Sequence, residues 1–183
     1  AAELNALGYF GGTIENFALF NTTINTYKYD KVKVWFGCTS QSEYTNTTFI
    51  PTGSLTQVFG STNNINPADN AWSYFNVTDW DWDGSSNLVI QICAEEDGPG
   101  NVGSNSVRYH STSPAYRCIY DYSTTVNSCN EATGSRVTSR PNIRFRICSE
   151  TALTPTYSWT TTAGLNNAAA QNPTATPSTT TTY

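Results

Sequence analysis

The segment Ala71–Cys93, AWSYFNVTDWDWDGSSNLVIQIC, limits what this chain can fold into more than any other stretch. Trp72-Ser-Tyr-Phe-Asn-Val77 is aromatic and β-branched, Asp83-Gly84-Ser-Ser-Asn87 is rich in turn formers, and Leu88–Cys93 is an apolar run. The segment therefore reads as strand, turn, strand. Two-residue periodicity puts Leu88, Ile90 and Ile92 on one face, with Val89 and Gln91 on the other. Unbroken parity from Phe75 and Val77 would carry Asp79, Asp81 and Asp83 onto the face those two occupy. Three carboxylates cannot share a core face with Phe and Val, which predicts that the strand breaks near Thr78. The expected product is a β-hairpin at the centre of a β-sandwich.

The rest of the chain agrees with an all-β reading. Aromatics make up 13% of the 183 residues and charged residues only 13%, with abundant Thr, Ser and Asn. That balance favours folded β structure over disorder. The net charge of −5 and the lack of a basic run argue against a nucleic-acid surface. No stretch approaches the length of a membrane span. No signal peptide is recognisable, yet a low-charge, Thr/Asn-rich β protein with cysteines is the kind of chain that is exported.

Five cysteines are present: Cys38, Cys93, Cys118, Cys129 and Cys148. None forms a C-x-x-C pair, so zinc has no support. Cys118 and Cys129 bracket a short polar segment, and a local disulfide there would stabilise by about 3 kcal/mol. Cys93 and Cys148 each end an apolar strand and would meet if those strands were neighbours. Cys38 would then be odd, paired outside this chain, unless some of the five are buried free thiols.

Along the chain, Ala1–Leu7 followed by Gly8 reads as a short helix stopped by glycine. Thr13–Phe20 reads as a strand with Ile14, Ala18 and Phe20 in one phase and Phe17 and Leu19 in the other. In Tyr29–Phe36, Val32, Val34 and Phe36 alternate with Lys31 and Lys33, as suits a half-exposed or edge strand. Leu55–Phe59, Val107–Ser111, Ala115–Tyr122 and the Ile143/Phe145/Ile147 run add strands, making about eight in the manner of a sandwich or jelly roll. Composition shifts at Ser149. The remainder is nearly uncharged and rich in Thr, Ala and Pro, with one strand seed at Tyr157-Ser-Trp159.

Several of these segments together resemble a known family. They are Ala1-Ala2-Glu3-Leu4…Gly8, Gly12-Thr13-Ile14, Trp82-Asp83-Gly84-x-Ser86-Asn87-Leu88, the strand ending in Cys93, and Arg140-Pro141-Asn142-Ile143-Arg144-Phe145. Residues 1–148 are similar to a jelly-roll-like β-sandwich module of secreted and surface proteins of Bacteroidota, the group using type IX secretion. Residues 149–183 resemble a linker and part of a PKD/Ig-like repeat, on Tyr157-Ser-Trp, Gly164-Leu165-Asn, Asn172-Pro173-Thr-Ala-Thr-Pro177 and Thr-Thr-Tyr183. The resemblance implies export to the cell surface within long multidomain proteins, some of them adhesins, and it implies no catalytic residues. Asp79, Trp80 and Asp81 lie outside the family wording. The strand expected before Ala1 and the last Ig-like strand are missing, so the chain is expected to be a piece of something larger. Alternatively, neighbouring copies or domains of the same protein supply the missing strands.

Three constellations invite chemistry. Asp79-Trp-Asp-Trp-Asp83-Gly84 matches the first half of a calcium loop, but Ile90 stands where a bidentate Glu is required. A different calcium site, completed by carbonyls or by Glu95, Glu96 and Asp97, stays open beside the bland reading of a solvated acidic turn. Trp80 and Trp82 would project together from an extended backbone as a sugar-stacking platform, or pack in the core. His110, the sole histidine, sits in a strand without G-x-S-x-G or any other nucleophile motif. Arg144 and Arg146 are expected on a solvated face, paired with local acids. Three sequons, at Asn21, Asn46 and Asn76, are about as many as this Asn and Thr content gives by chance.

Two functional expectations follow. The first is a non-enzymatic extracellular structural or adhesive module of a large bacterial surface protein or filament. The alternative is a carbohydrate-binding module carried beside a secreted enzyme, with surface glycans as partners.

Overall fold

The computed structural model describes residues 1–23, 31–61, 68–94, 106–121, 129, 131–148 and 157–183. The chain divides into two compact units, Ala1–Ser149 and Glu150–Tyr183. The first opens with helix α1 (Ala2–Ala6), after which Gly8 adopts a positive φ of 90°. Strands β1 (Gly12–Thr23), β2 (Lys33–Thr39), β3 (Thr56–Gly60), β4 (Ala71–Trp82) and β5 (Asn87–Cys93) follow. Then come the short β6 (Ser106–Val107), β7 (Tyr109–Ser111), β8 (Cys118–Tyr120), β9 (Ser135–Val137) and β10 (Ser139–Pro141), and finally β11 (Ile143–Cys148). No helix among the described residues is long and apolar enough to cross a membrane.

The fold is an antiparallel β-sandwich. One sheet has the order β11-β1-β4, with β6 extending the far end of β1, and the other has the order β3-β2-β5. The pairs β7/β10 and β8/β9 form two small ribbons. Phe17, Phe75, Val77 and Trp82 of the first sheet meet Val34, Phe36 and Val58 of the second in one core. Phe17 stacks on Phe75 at 5.5 Å and meets Phe36 edge-on at 6.1 Å, so one ring ties both sheets together. Such aromatic pairs stabilise beyond their buried area by roughly 0.5–1.5 kcal/mol each.

The expected hairpin does not form. β4 pairs with β1 and β5 pairs with β2, so the turn after Trp82 carries the chain from one sheet to the other. Its geometry is nevertheless that of a tight turn. The N–H groups of Ser85 and Ser86 both donate to Asp83 Oδ1 at 2.7 Å, and Gly84 has φ +74°. A Cβ at Gly84 would strike the Phe10 carbonyl, so both the backbone conformation and the close approach require glycine.

Nor does the strand break near Thr78; it bulges. Ile14 faces Trp80 while Asn16 faces Asn76, so three residues of β4 stand opposite Glu15 alone. The register of β1 against β11 shifts at the same place. Before the bulge Ser73, Phe75 and Val77 are buried; after it Trp82 is buried and Asp79 and Asp81 are exposed. The conflict between carboxylates and core is thus resolved by a phase flip within a continuous strand. The same bulge regroups β1: Ile14, Phe17 and Leu19 belong to the core side. Ala18 and Phe20 lie on the other face, not in phase with Ile14.

Val32, Val34 and Phe36 face inward as expected. However, β2 is the central strand of its sheet rather than an edge, and Trp35 on its outer face is only 8% exposed. In the second unit the strand expected at Tyr157-Ser-Trp159 does not form. Among its described residues the pairing is a single bridge, Leu165–Ala175, and Trp159 Nε1 donates to the Ala170 carbonyl at 3.0 Å.

Candidate binding face

The residues singled out in the sequence mostly turn inward or apart. Trp82 is 2% exposed, part of the core, and donates from Nε1 to the Ser86 carbonyl at 2.9 Å. Trp80 is half-buried and meets Phe36 edge-on at 5.7 Å. The pair is core packing, not a sugar platform. Asp81 accepts from the Thr13 hydroxyl at 2.6 Å, whereas Asp83 is occupied by its own turn. Hydrogen bonds from Ser86 and Ser85 hold the Asp83 carboxyl well below the usual carboxylate range. Among the described residues no group of three His, Cys, Asp or Glu side chains converges as a metal site, Asp79, Asp81 and Asp83 included. Glu95, Glu96 and Asp97 lie outside the described residues.

The disulfide pairing also differs from both expected pairs: Cys93 bonds Cys129, and Cys38, Cys118 and Cys148 are free thiols. Strand ends decide this. Cys148 ends β11 in the first sheet, whereas Cys93 ends β5 in the second. Burial pushes the Cys118 thiol up, and the Glu15 carboxylate does the same to Cys148. The Cys38 thiol is raised by desolvation and by nearby Asp83.

His110 is exposed on β7 opposite Arg140. It lies at the border of a cavity of about 1080 Å³ lined by Leu4, Ile90, Ile119 and Ile143. At that border Glu3 holds Arg140 and, at 3.4 Å, Arg117. Partial burial raises the Glu3 carboxyl, but the Arg140 hydrogen bond and the two guanidinium charges outweigh it and leave the group below its ordinary value. These arginines tie α1 to the sandwich. Of the sequons, Asn21 is buried and donates to Ser73 Oγ, Asn76 is exposed and bonded to Asn16, and Asn46 is exposed.

The residues that do face outward together are on the other side of the β11-β1-β4 sheet. Register places Phe20 beside Trp72, and Ala18 between Tyr74 and Arg144. Phe20 and Trp72 meet edge-on at 5.4 Å. The Arg108 guanidinium lies 4.3 Å from the centre of the Phe20 ring, and that of Arg144 lies 4.4 Å from the Trp72 ring. Arg144 Nη1 also donates to the Tyr74 hydroxyl at 2.9 Å. The small side chain of Ala18 lets these two flanking residues meet above the central strand, which explains why Ala18 is 0% exposed on an outward face.

Charge separates the arginines on this sheet. Arg146 pairs with Glu15 at 3.1 Å, as expected of a surface arginine near an acid. Arg108 and Arg144 have no carboxylate within ion-pair distance among the described residues; rings hold them instead. Both residues are exposed, and a guanidinium carries five N–H donors in one plane, of which Arg144 gives one to Tyr74. Sequence reasoning missed this face because it weighed Trp80 and Trp82 and not Trp72 and Tyr74. The available signal was the outward phase of Trp72, Tyr74 and Asn76 set against inward Ser73, Phe75 and Val77.

Comparison with known proteins supplies no family. The chain matches no family model, no curated protein and no solved structure.

Proposed function

We propose that the chain is a non-enzymatic extracellular module of a larger surface protein, and that it adheres through the outer face of β11-β1-β4. The observation that carries this reading is the pair of guanidiniums stacked on Phe20 and Trp72, with no carboxylate partner among the described residues. A surface arginine in an acidic chain ordinarily finds an acid. Two that are held on rings instead of acids among the described residues form an Arg/aromatic patch of the kind enriched in interfaces. The Cys93–Cys129 disulfide supports an oxidising, extracellular setting. The resemblance to surface modules of Bacteroidota points the same way. A carbohydrate-binding module built on Trp80 and Trp82 has lost its platform to the core.

The test uses antibody against the purified chain on intact cells that produce it, together with beads coated with the chain. Labelling without permeabilisation, and bead adhesion that falls in the Arg108→Gln/Arg144→Gln variant, are expected. Labelling only after permeabilisation would overturn the extracellular assignment. New reducing ends released from polysaccharide by the purified chain would overturn the non-enzymatic one.

A further inference from the structure

We propose that Arg108 and Arg144 bind an acidic polysaccharide, a chain carrying carboxylate or sulfate groups, across the outer face of β11-β1-β4. The inference rests on the adhesive reading and names its ligand.

Charge complementarity is the first argument. The protein has 14 Asp and Glu against 9 Lys and Arg, so acids are in surplus. Even so, Arg108 and Arg144 stack on rings while neighbouring Arg146 takes Glu15. A planar guanidinium held in place loses little further entropy when it grips an oxyanion, and its fork matches the two oxygens of a carboxylate or sulfate. Because the rings fix both planes before any ligand arrives, the site is pre-organised.

Spacing is the second argument. Arg108 reaches Phe20, donating its N–H to the Phe20 carbonyl at 2.8 Å, and Arg144 stands beside Ala18. Two residues along a strand are about 7 Å. That is the spacing of the β1 positions beside which the two arginines stand; the guanidiniums themselves lie over Phe20 and Trp72. Two cations side by side on one sheet face suit repeated charges on an extended polymer better than one small anion. Tyr74 adjoins Arg144 with a hydroxyl, and Asn16 and Asn76 follow one same-face register step along with two amides, groups that hydrogen-bond sugar hydroxyls.

Nucleic acid, the other common polyanion, fits less well. Binding a single strand relies on open aromatic faces for base stacking. Here Arg108 and Arg144 each occupy a face of Phe20 and Trp72. The net charge of −5 would also repel a long phosphate chain beyond the patch.

The experiment is affinity electrophoresis of the full chain through gels containing polygalacturonate, chondroitin sulfate, dextran or single-stranded DNA. Retardation by polygalacturonate, chondroitin sulfate or both is expected, and which polymer retards tells carboxylate from sulfate recognition. Arg144→Gln is expected to weaken that binding about tenfold, the scale of one lost charge-assisted contact. Arg144→Lys, which keeps the charge but loses fork and stack, is expected to fall between. Arg146→Gln should bind as the parent does, since Glu15 already neutralises that residue. Melting curves of every variant report folding separately.

Equal retardation by dextran or by DNA would overturn the proposal. So would parental binding by a folded Arg108→Gln/Arg144→Gln variant. If no acidic polymer retards the chain but coated beads still adhere to cells, the polysaccharide inference falls and the adhesive reading stands. If neither occurs, both fall.

Discussion

Replacing Trp82 separates a core role from a ligand-binding one. The side chain is 2% exposed and packs in the cluster containing Phe17, Phe36 and Phe75. Truncating a buried Trp to Ala costs about 3–5 kcal/mol through lost transfer energy and the cavity left behind. The Ser86 carbonyl also loses the indole N–H that now reaches it at 2.9 Å. For a unit of this size each kcal/mol lowers Tm by about 2–4 °C, so a cost near 4 kcal/mol gives a fall of about 8–16 °C. Trp72→Ala, on the outer face, removes half-buried area and one cation–π contact and should cost only about 1–2 kcal/mol. Urea titrations followed by fluorescence and circular dichroism measure both variants. The core assignment is refuted if Trp82→Ala costs less than about 1 kcal/mol while abolishing polysaccharide retention.

Three further outcomes are expected. Cys93 and Cys129 should be recovered as one disulfide-linked peptide pair with Cys38, Cys118 and Cys148 alkylatable; because the bond spans 36 residues, its loss in Cys93→Ser/Cys129→Ser should cost about 4 kcal/mol by loop entropy, read from denaturant midpoints. Glu3 is held below its ordinary value of 4.5, so its ion pairs contribute fully above that pH and are lost as the pH falls through the lower folded value. Glu3→Gln should therefore lower stability slightly at neutral pH, by less than about 1 kcal/mol for pairs this exposed, and the two pH–stability curves should converge in acid. Gly84→Ala places a side chain at φ +74° against the Phe10 carbonyl and should cost about 2 kcal/mol or more in the same titrations.

Much of the sandwich could be read from local patterns. Alternation identified the inward Val32, Val34 and Phe36, because a half-covered strand must separate its faces every second residue. The glycine stop after α1 and the Asp83-Gly84 turn were equally legible, since each depends on a few adjacent residues. What stayed hidden depends on partners far away in sequence. Nothing in Trp72–Cys93 says whether its two strands pair with each other or with β1 and β2. The bulge opposite Glu15 was visible only as a contradiction, carboxylates in phase with Phe75 and Val77, and a break and a phase flip resolve it equally well on paper. That choice decided which residues form the outer face. A break left Trp80 and Trp82 free to project, whereas the flip sends them into the core and leaves Trp72, Tyr74 and the arginines outside. The disulfide was misjudged for a related reason: Cys118 and Cys129 are near in sequence, but it is Cys93, at the far end of β5, that bonds Cys129.

The most direct measurement is a chemical-shift map of the isotope-labelled chain titrated with short polygalacturonate oligomers. Perturbations confined to Phe20, Trp72, Tyr74, Arg108 and Arg144, diminishing with added salt, are the expected result. Shifts centred on Asp79–Gly84 or on the cavity beside α1, with the outer face silent, would contradict it.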